Sequence, residues 1–567
     1  NLLCTAGALL AMTSRPEPDS IQKAWRKVLF NQFHDIFDGS AIHEVYEKNK
    51  QDFIEVEQTA QRVIEETLDT LTYGIESDVI VINPTGTPVK DWVFIPMNKD
   101  KLTDLLFDGM GRPTVAQSSE KGVGFVAQVP PFQVMRYQAK PRSWGLEKML
   151  MATHAYAPAD GRKADTEEAQ SAAPYLRIET ELYVAYIRKD CGVIVGLRDK
   201  RVNRELVAFG MRKPSDYMDT ARPELGLNVF QITDERPHAM TAWEIHEVHQ
   251  ERSLISGATT RVIEDGPVRC VIEVTHRFRK SSIVERIIFY RELPRIDFEA
   301  DIEWNEVGTP EEGVPGLKVA FTANLPECEA WFETPFAAVR RNSNGQEVPA
   351  LRWADVGGSK YGIAVLNDSK YGYDALGGRL RLTLIRSAYD PDSISDVGRH
   401  SVRFALLPHP GDWRDARVPA AALAFNQPLL VCSGSGGSTT DADNDDEDWE
   451  DDWDTWDDDD EDSEQGVNVT LEDPQTALIS GIKPARGRES LIVVRVYETG
   501  GRDVHNALLH VSYMADAWVA NILEEPIASA ELDHDAIRVS LRPWEVRTYL
   551  VELKPIEVPD EWDEPDE

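Results

Sequence analysis

His34 and Asp35 stand side by side near the start of the chain, shortly before Gly39. An imidazole beside a carboxylate suits metal ligation and the recognition of hydroxyl groups. Because Gly39 is typical of a helix C-terminus, the pair is expected where one helix ends and another begins. The alternative is a partly exposed pair that only packs two helices together, since two residues of suitable type are a weak motif.

The residues before this pair predict a helix that carries it. Apolar side chains recur at helical spacing and form one stripe, which contains Ile21, Trp25, Val28, Leu29, Phe33 and Ile36. At about 100° per residue, His34 falls on the side opposite Trp25. It is therefore not expected in the core of its own helix. Ser40 is a candidate cap for the helix that follows.

The stretch WRKVLFNQFHDIFDGSAIHEVY (residues 25–46) resembles the middle, helical domain of the glycoside hydrolase family 38 α-mannosidases. Members of that family carry a run similar to Asn-Gln-Phe-His-Asp-Ile-Leu-Pro-Gly-Ser. The resemblance implies that His34 is a ligand of an active-site zinc ion and that Asp35 contacts the bound sugar. Phe37 and Asp38 stand where the family usually has Leu-Pro, so a rigid turn element is lost and a carboxylate is added near the metal position.

The same resemblance implies the reaction. Family members retain configuration, with one aspartate as nucleophile and zinc ligand and a second carboxylic acid that protonates the leaving group. In the family these groups lie in an α/β barrel that precedes the helices, and this sequence has no βαβ alternation. We therefore expect no catalytic carboxylate in this chain, which looks truncated at its start. His34 alone cannot hold a catalytic zinc, which needs about three protein ligands, so the chain alone is expected to be inactive.

Composition limits the classes of partner. The net charge of −38 argues against nucleic acid, because a phosphate backbone requires a basic face. No apolar run approaches the roughly 20 residues of a membrane helix. Five scattered cysteines without a CxxC pair indicate a reducing compartment, so we expect a cytoplasmic protein. The oligomeric state is left open, and a homo-oligomer is compatible with the sequence.

Hydrophobic patterning predicts a mainly β protein with an N-terminal α-helical bundle. Residues 1–76 are expected to form a three-helix middle domain and residues 77–140 a small β domain. Residues 141–426 are expected to form a β super-sandwich, and residues 427–567 a terminal β-sandwich. Residues 433–466 hold a Gly/Ser run and then a strongly acidic run, which predicts a disordered insertion.

Later stretches extend the resemblance over most of the chain. The hairpin from Glu181 to Leu197 resembles the entry to the galactose-mutarotase-like β domain of family 38, and the stretches VRVYETGG and LRPWEVRTYLVEL resemble its terminal β-sandwich. Most residues in these stretches are expected to be strand core. Lys370, Tyr371 and Arg386 are polar exceptions to which the sequence assigns no role.

Three functions remain open from sequence. The first is a zinc-assisted α-mannosidase that acts on mannosyl oligosaccharides, with its catalytic barrel upstream or on another chain. The second is a non-catalytic carbohydrate-binding or scaffold module. The third is a docking arm formed by the acidic, tryptophan-bearing segment for a basic partner.

Overall fold

A computed structural model describes residues 1–75, 77–97, 105–139, 174–207, 222–326, 328–434, 466–472, 476–488 and 490–555. Within these ranges the chain is mainly β, with helices at its N-terminus, as predicted. The acidic run expected to be disordered lies outside the described residues. No helix in the described ranges is both long and apolar enough to cross a membrane.

Four helices lie near the N-terminus, and a fifth lies much later in the described chain. Their bounds are α1 Leu2–Met12, α2 Asp19–Asn31, α3 His34–Phe37, α4 His43–Thr72 and α5 Val418–Asn426, and Pro223–Leu225 forms a 3-10 turn. The helix α1 is apolar nearly all round and is buried, as expected for a helix enclosed by protein. Its core continues without interruption into the last β-sandwich of the chain.

A seven-stranded antiparallel sheet follows the helices, in the order β2-β5-β4-β3-β6-β1-β26. Its strands are β1 Val79–Ile82, β2 Val89–Pro96, β3 Leu105–Asp108, β4 Pro113–Ser119, β5 Gly122–Val129, β6 Val134–Ala139 and β26 Leu430–Cys432. The strand β26 pairs with β1, with Val431 opposite Val81. A segment that the sequence grouped with the terminal sandwich therefore lies in this sheet.

The largest unit is a sandwich of two antiparallel sheets. The ten-stranded sheet contains β7 Tyr175–Glu179, β8 Tyr183–Arg188, β9 Ile194–Asp199, β10 Arg204–Glu205, β11 Leu227–Glu235, β12 Val248–Ser253, β17 Val314–Thr322, β20 Val348–Pro349, β23 Gly372–Leu376 and β24 Arg379–Arg386. The nine-stranded sheet contains β13 Thr259–Asp265, β14 Arg269–Phe278, β15 Ser281–Tyr290, β16 Ile296–Trp304, β18 Glu329–Thr334, β19 Ala337–Arg341, β21 Trp353–Gly357, β22 Tyr361–Asn367 and β25 Gly398–Pro410. Alternate side chains of both sheets form one apolar core between them.

A smaller terminal sandwich completes the described chain. Its four-stranded sheet contains β27 Val469–Leu471, β30 Val504–Val511, β33 Leu532–Asp533 and β34 Ala536–Leu541. Its five-stranded sheet contains β28 Ala477–Pro484, β29 Leu491–Glu498, β31 Met514–Ala520, β32 Pro526–Ser529 and β35 Val546–Leu553. The helix α5 packs its apolar face on the outer side of the nine-stranded sheet and so lies between the two sandwiches.

The helix that carries the candidate site ends earlier than the apolar period predicts. Asn31 is the last residue of α2, and Phe33 has an extended backbone (ψ 140°) that separates α2 from α3. Within the predicted stripe Ile21 is buried, whereas Leu29 and Phe33 are mostly exposed. The period identified an apolar face correctly, but it could not reveal that the far end of this face has no cover in the described residues.

Candidate functional site

His34 and Asp35 open the one-turn helix α3, between α2 and α4. The turn is closed by the backbone N–H groups of Ile36 and Phe37, which both donate to Phe33 O at 2.9 Å. Gly39 follows with a φ of +87°, a left-handed conformation that glycine adopts without strain. The sequence placed a glycine-ended junction here correctly, although the pair begins a new turn and does not end α2.

Both candidate side chains face solvent. His34 is 78% exposed and Asp35 is 64% exposed, and His34 Nε2 lies 3.5 Å from Asp35 Oδ1. The ring of Phe33 packs beside the imidazole, with centroids 4.3 Å apart. Neither polar group is therefore buried in the protein interior, and both are accessible to a ligand.

The zinc predicted for this site needs more ligands than the described chain brings together. Among the described residues, no group of three His, Cys, Asp or Glu side chains is placed to hold a metal ion. His34 and Asp35 fit as two accessible donors of suitable chemistry, and a closed or catalytic zinc site requires further donors. The remaining ligands, if zinc binds here, must come from outside the described residues.

A network of hydrogen bonds fixes the turn that presents the pair. Asp38 Oδ1 accepts from Ser40 N at 3.0 Å and from Ser40 Oγ at 2.6 Å. The hydroxyl of Tyr46 accepts from Ala41 N at 2.9 Å and donates to Ile36 O at 3.3 Å. Ser40 thus closes this turn and does not cap α4, whose N-cap is Ile42. Through these bonds the carboxylate of Asp38 restricts the turn that follows α3.

Two contacts anchor this junction on loops of the large sandwich. His43 Nδ1 lies 3.1 Å from Asp392 Oδ2, a carboxylate that is almost fully buried. The rings of Phe37 and Tyr371 meet with centroids 5.5 Å apart. These contacts span more than 300 residues of sequence, so no local pattern could have predicted Asp392 as a partner of the site.

The anchoring loops also carry ionisable groups with shifted pKa values. Burial lowers the pKa of Lys370, and the negative charges of Asp396 and Asp368 act against that shift. Burial raises the pKa of Asp396 and of Tyr371. Shifted pKa values clustered beside exposed ligand-type residues are typical of functional sites. From the sequence, Lys370 and Tyr371 were identified only as polar residues that strand packing did not explain.

Arg386, the third polar exception, has a structural role. Its Nη2 lies 2.9 Å from Glu235 Oε2 and donates to Glu244 O at 2.7 Å. The guanidinium therefore holds the loop after β11 against the end of β24. It belongs to the framework of the large sandwich.

Exposed apolar side chains flank the His–Asp pair along the chain. We call it the apolar rim, and it consists of five side chains that are 51–70% exposed: Leu29, Phe30, Phe33, Phe37 and Ile42. Soluble proteins seldom leave such large apolar groups clustered in water unless they take part in an interaction. The rim and the pair together therefore form a candidate interface as well as a candidate site.

Comparison with known proteins gives three family matches along the chain, in one consistent order. The α-mannosidase middle domain matches residues 2–71, which contain His34 and Asp35. The glycosyl hydrolases family 38 C-terminal domain matches residues 178–393, and the C-terminal β-sandwich domain of the same family matches residues 477–549.

Individual relatives agree with these matches. Alpha-mannosidase G of Dictyostelium discoideum is 25% identical over 94% of this chain and 48% of its own length, and alpha-mannosidase 2C1 of Mus musculus is 24% identical over 94% and 46%. The chain thus spans about half the length of these curated relatives. The crystal structure of an alpha-mannosidase from Enterococcus faecalis V583 covers 97% of this chain and 66% of its own, with a TM-score of 0.69 at 14% identity, which shows a shared fold.

Proposed function

Because this chain belongs to glycoside hydrolase family 38, as the portion C-terminal to the catalytic barrel, we propose that it forms the helical and β-domain part of a retaining α-mannosidase. The substrates would be terminal α-mannosyl linkages in oligosaccharides or glycoconjugates. The observation that carries the proposal is the exposed His34–Asp35 pair, which the exposed residues of the apolar rim flank along the chain. A second domain that covered this pair could add the further ligands and carboxylates that the site needs.

The covering partner in this proposal is an α/β barrel that brings the nucleophile and the acid. Retaining hydrolysis needs two carboxyl groups about 5 Å apart on either side of the scissile bond. Asp35 and Asp38 do not supply that pair, since Asp38 is engaged in the turn with Ser40. The barrel would seat on the apolar rim and so place its carboxylates above His34 and Asp35.

In this arrangement His34 would ligate zinc, and Asp35 would accept hydrogen bonds from hydroxyl groups of the sugar. Zinc, when bound, supplies a Lewis acid that orients the sugar hydroxyls. His34 must be neutral to ligate, so metal binding weakens as the pH falls. Asp38 and Tyr46 position the turn through hydrogen bonds and contact neither metal nor sugar. The five free cysteines support a reducing, cytoplasmic setting for the protein.

The test substitutes His34→Ala and Asp35→Asn in the natural protein that contains this chain and measures hydrolysis of an aryl α-mannoside. Loss of a zinc ligand is expected to lower kcat/KM at least 100-fold in His34→Ala. Loss of a hydrogen bond to a charged group is expected to lower it about 10-fold or more in Asp35→Asn.

His534→Ala is the matched control for this test, because His534 is 94% exposed and lies on the terminal sandwich. Its activity should equal that of the wild type. Full activity of His34→Ala would overturn the proposal.

A second function, saccharide binding without catalysis, is favoured by a separate cleft. A cavity of about 750 Å³ lies between the helices and the two sandwiches, and its walls include Trp25, Phe336, Tyr371 and Tyr497. Aromatic faces with a few polar groups are common in ligand sites of this size. Titration of the isolated chain with mannosyl oligosaccharides, with and without a chelator, separates the two functions. Chelator-insensitive binding supports the module, whereas chelator-sensitive binding counts against it.

A further inference from the structure

The cleft between the helices and the two sandwiches adjoins the turn that carries the His–Asp pair. Tyr371 lines this cleft, and its ring meets that of Phe37 with centroids 5.5 Å apart. Phe37 is the last residue of α3, the single turn that begins at His34. The cleft of about 750 Å³ and the exposed pair are therefore neighbours, separated by one contact between rings.

An aromatic residue in a strained turn lines the same cleft. Phe336 lies in the two-residue turn between β18 and β19, has a φ of +56° and is 44% exposed. Its ring packs edge-on against that of Tyr497, with centroids 5.5 Å apart. A bulky residue rarely adopts the left-handed conformation, and residues held in such strain cluster at active sites and ligand clamps. Phe336 is therefore a candidate platform for the apolar face of a ligand.

Two polar side chains with few partners also line the cleft. Gln427, which follows α5, is only 8% exposed, and its side-chain amide makes no hydrogen bond to another described residue. Arg495 donates from Nε to Thr548 Oγ1 at 3.2 Å and has no carboxylate partner in the described chain. An amide offers both donors and an acceptor, and a guanidinium offers several donors in one plane. Both groups suit the neighbouring hydroxyls of a sugar ring.

The charges of the cleft are balanced, which argues against an ionic ligand. Its lining holds three cationic and three carboxylate side chains, which are Arg352, Lys483, Arg495, Glu17, Glu333 and Asp368. Arg352 Nε lies 3.1 Å from Glu333 Oε1, and Lys483 Nζ lies 2.7 Å from Glu524 Oε1. A strongly charged ligand would bring an unpaired charge into this partly buried site, which is unfavourable. A neutral ligand that is rich in hydroxyl groups would not.

We propose that the cleft binds a neutral oligosaccharide and holds one part of the glycan whose terminal mannose lies at the His–Asp pair. In this arrangement a sugar ring packs on Phe336, and its hydroxyls bond to Gln427 and Arg495. The proposal rests on the proposed α-mannosidase function for the identity of the sugar. Binding in the cleft needs no metal, so a metal-independent saccharide site and a zinc-assisted site belong to one enzyme.

The binding test titrates the natural protein that contains this chain with a mannopentaose by calorimetry, in the presence of a chelator. The wild type should bind, because the cleft uses no metal. Gly481 lines the cleft opposite Arg495, and a Cβ added there would meet no other atom within 4 Å. Gly481→Leu should therefore fill the cleft without disturbing the fold and weaken binding about 10-fold or more. Phe336→Ala removes the platform and should weaken binding to a similar extent.

Gly109→Leu is the matched control, because a Cβ added at Gly109 also meets no atom within 4 Å and this residue lies in the small β domain. The control should bind the mannopentaose as tightly as the wild type does. Equal affinities in Gly481→Leu and the wild type, or no binding by the wild type, would overturn the proposal.

An activity test separates this proposal from the proposed function. The ratio of kcat/KM for the mannopentaose to kcat/KM for an aryl α-mannoside should fall about 10-fold or more in Gly481→Leu, because only the longer substrate reaches the cleft. His34→Ala should instead lower kcat/KM for both substrates. A wild-type ratio in Gly481→Leu, together with hydrolysis that depends on His34, would overturn the cleft proposal and leave the α-mannosidase function standing.

Discussion

His34 and Asp35 differ in their exposure from the most buried histidine–carboxylate pair of the described chain. His409 Nε2 lies 2.7 Å from Asp355 Oδ2 with both side chains nearly fully buried, and this pair holds two strands of the large sandwich together. His34 and Asp35 lie farther apart and face solvent. A pair that stabilised the fold would resemble the buried one, so the exposed pair is the better candidate for a ligand-binding role.

Glu285 illustrates a buried acid that has no part in the site. It lies in the core of the large sandwich, where its Oε2 accepts from Asn228 Nδ2 at 2.9 Å. Burial raises the pKa of Glu285 to about 8, and the hydrogen bond from Asn228 lowers it by less. The side chain is therefore protonated in the folded protein at neutral pH, whereas it is ionised in the unfolded chain.

The resulting prediction concerns Glu285→Gln. Because the folded pKa lies above the unfolded value, the contribution of Glu285 to stability is complete below about pH 4 and is lost as the pH rises towards 8. The amide does not titrate, so between low pH and pH 8 the variant should gain on the order of 4 kcal/mol in free energy of unfolding relative to the wild type. Urea unfolding at pH 5 and pH 8.5 measures this difference.

Glu303→Gln provides the matched control, because Glu303 lies on the neighbouring strand with a half-exposed side chain. Its unfolding free energy should follow the wild-type pH dependence. If Glu285→Gln also follows it, Glu285 is not protonated in the folded state.

The sequence singled out His34 and Asp35 as candidates because a local motif carries them. It could not place Asp392 or Tyr371, which reach the same junction only through the fold. The apolar period also grouped Leu29 and Phe33 in one stripe with the buried Ile21, although both are exposed. Hydrophobic spacing indicates that a helix face is apolar, but it does not identify the residues that pack against that face.

At the scale of elements, the turn between α3 and α4 is held by the carboxylate of Asp38. Asp38→Ala removes two acceptor bonds to Ser40, each worth about 1.5–3 kcal/mol because the acceptor is charged. Amide exchange within residues 34–42 should therefore accelerate at least 10-fold, as measured by mass spectrometry. Asp35→Ala removes a carboxylate that makes none of these turn bonds, so its exchange should remain at the wild-type rate; acceleration in both variants would contradict the role of Asp38.

A buried ion cluster joins the seven-stranded sheet to the large sandwich. Arg295 Nη2 lies 2.6 Å from Asp91 Oδ1, and Arg295 Nε lies 2.8 Å from Asp297 Oδ1. Removal of the shared cation leaves two buried carboxylates without a positively charged partner. Arg295→Met should therefore lower the free energy of unfolding by about 3–5 kcal/mol.

Urea unfolding measures this loss, and the charge-neutral triple variant Arg295→Met, Asp91→Asn, Asp297→Asn is its control. This control should recover a large part of the stability, because no unpaired charge remains. Equal destabilisation of the single and triple variants would show that packing, and not charge, accounts for the effect.

The sequence predicted whether a segment is a helix or a strand more reliably than it predicted which segments pack or pair together. The change from helical to strand periodicity near residue 78 was correct, and β1 begins at Val79. The pairing of β1 with β26 joins segments about 350 residues apart, and periodicity carries no information on such partners. The shared core of α1 and the terminal sandwich was missed for the same reason.

At the scale of the whole molecule, the apolar rim is the expected seat of the barrel domain. The double substitution Leu29→Ser with Phe30→Ser should weaken association of this chain with a separately produced barrel at least 10-fold, because two exposed apolar side chains lose their contact area. Ile522→Ser with Leu523→Ser is the matched control, since these apolar side chains are at least as exposed and lie on the terminal sandwich. Calorimetric titration compares the two, and equal affinities in the rim variant and the wild type would contradict the docking role.

The most direct test of the central claim, that His34 belongs to a zinc site completed by residues outside this chain, is the zinc content of the natural protein. Metal analysis after exhaustive dialysis should give about one zinc per polypeptide in the wild type and in His534→Ala. The His34→Ala variant should retain little zinc at the same pH. Equal zinc contents in His34→Ala and the wild type would show that His34 is not a ligand and would contradict the account.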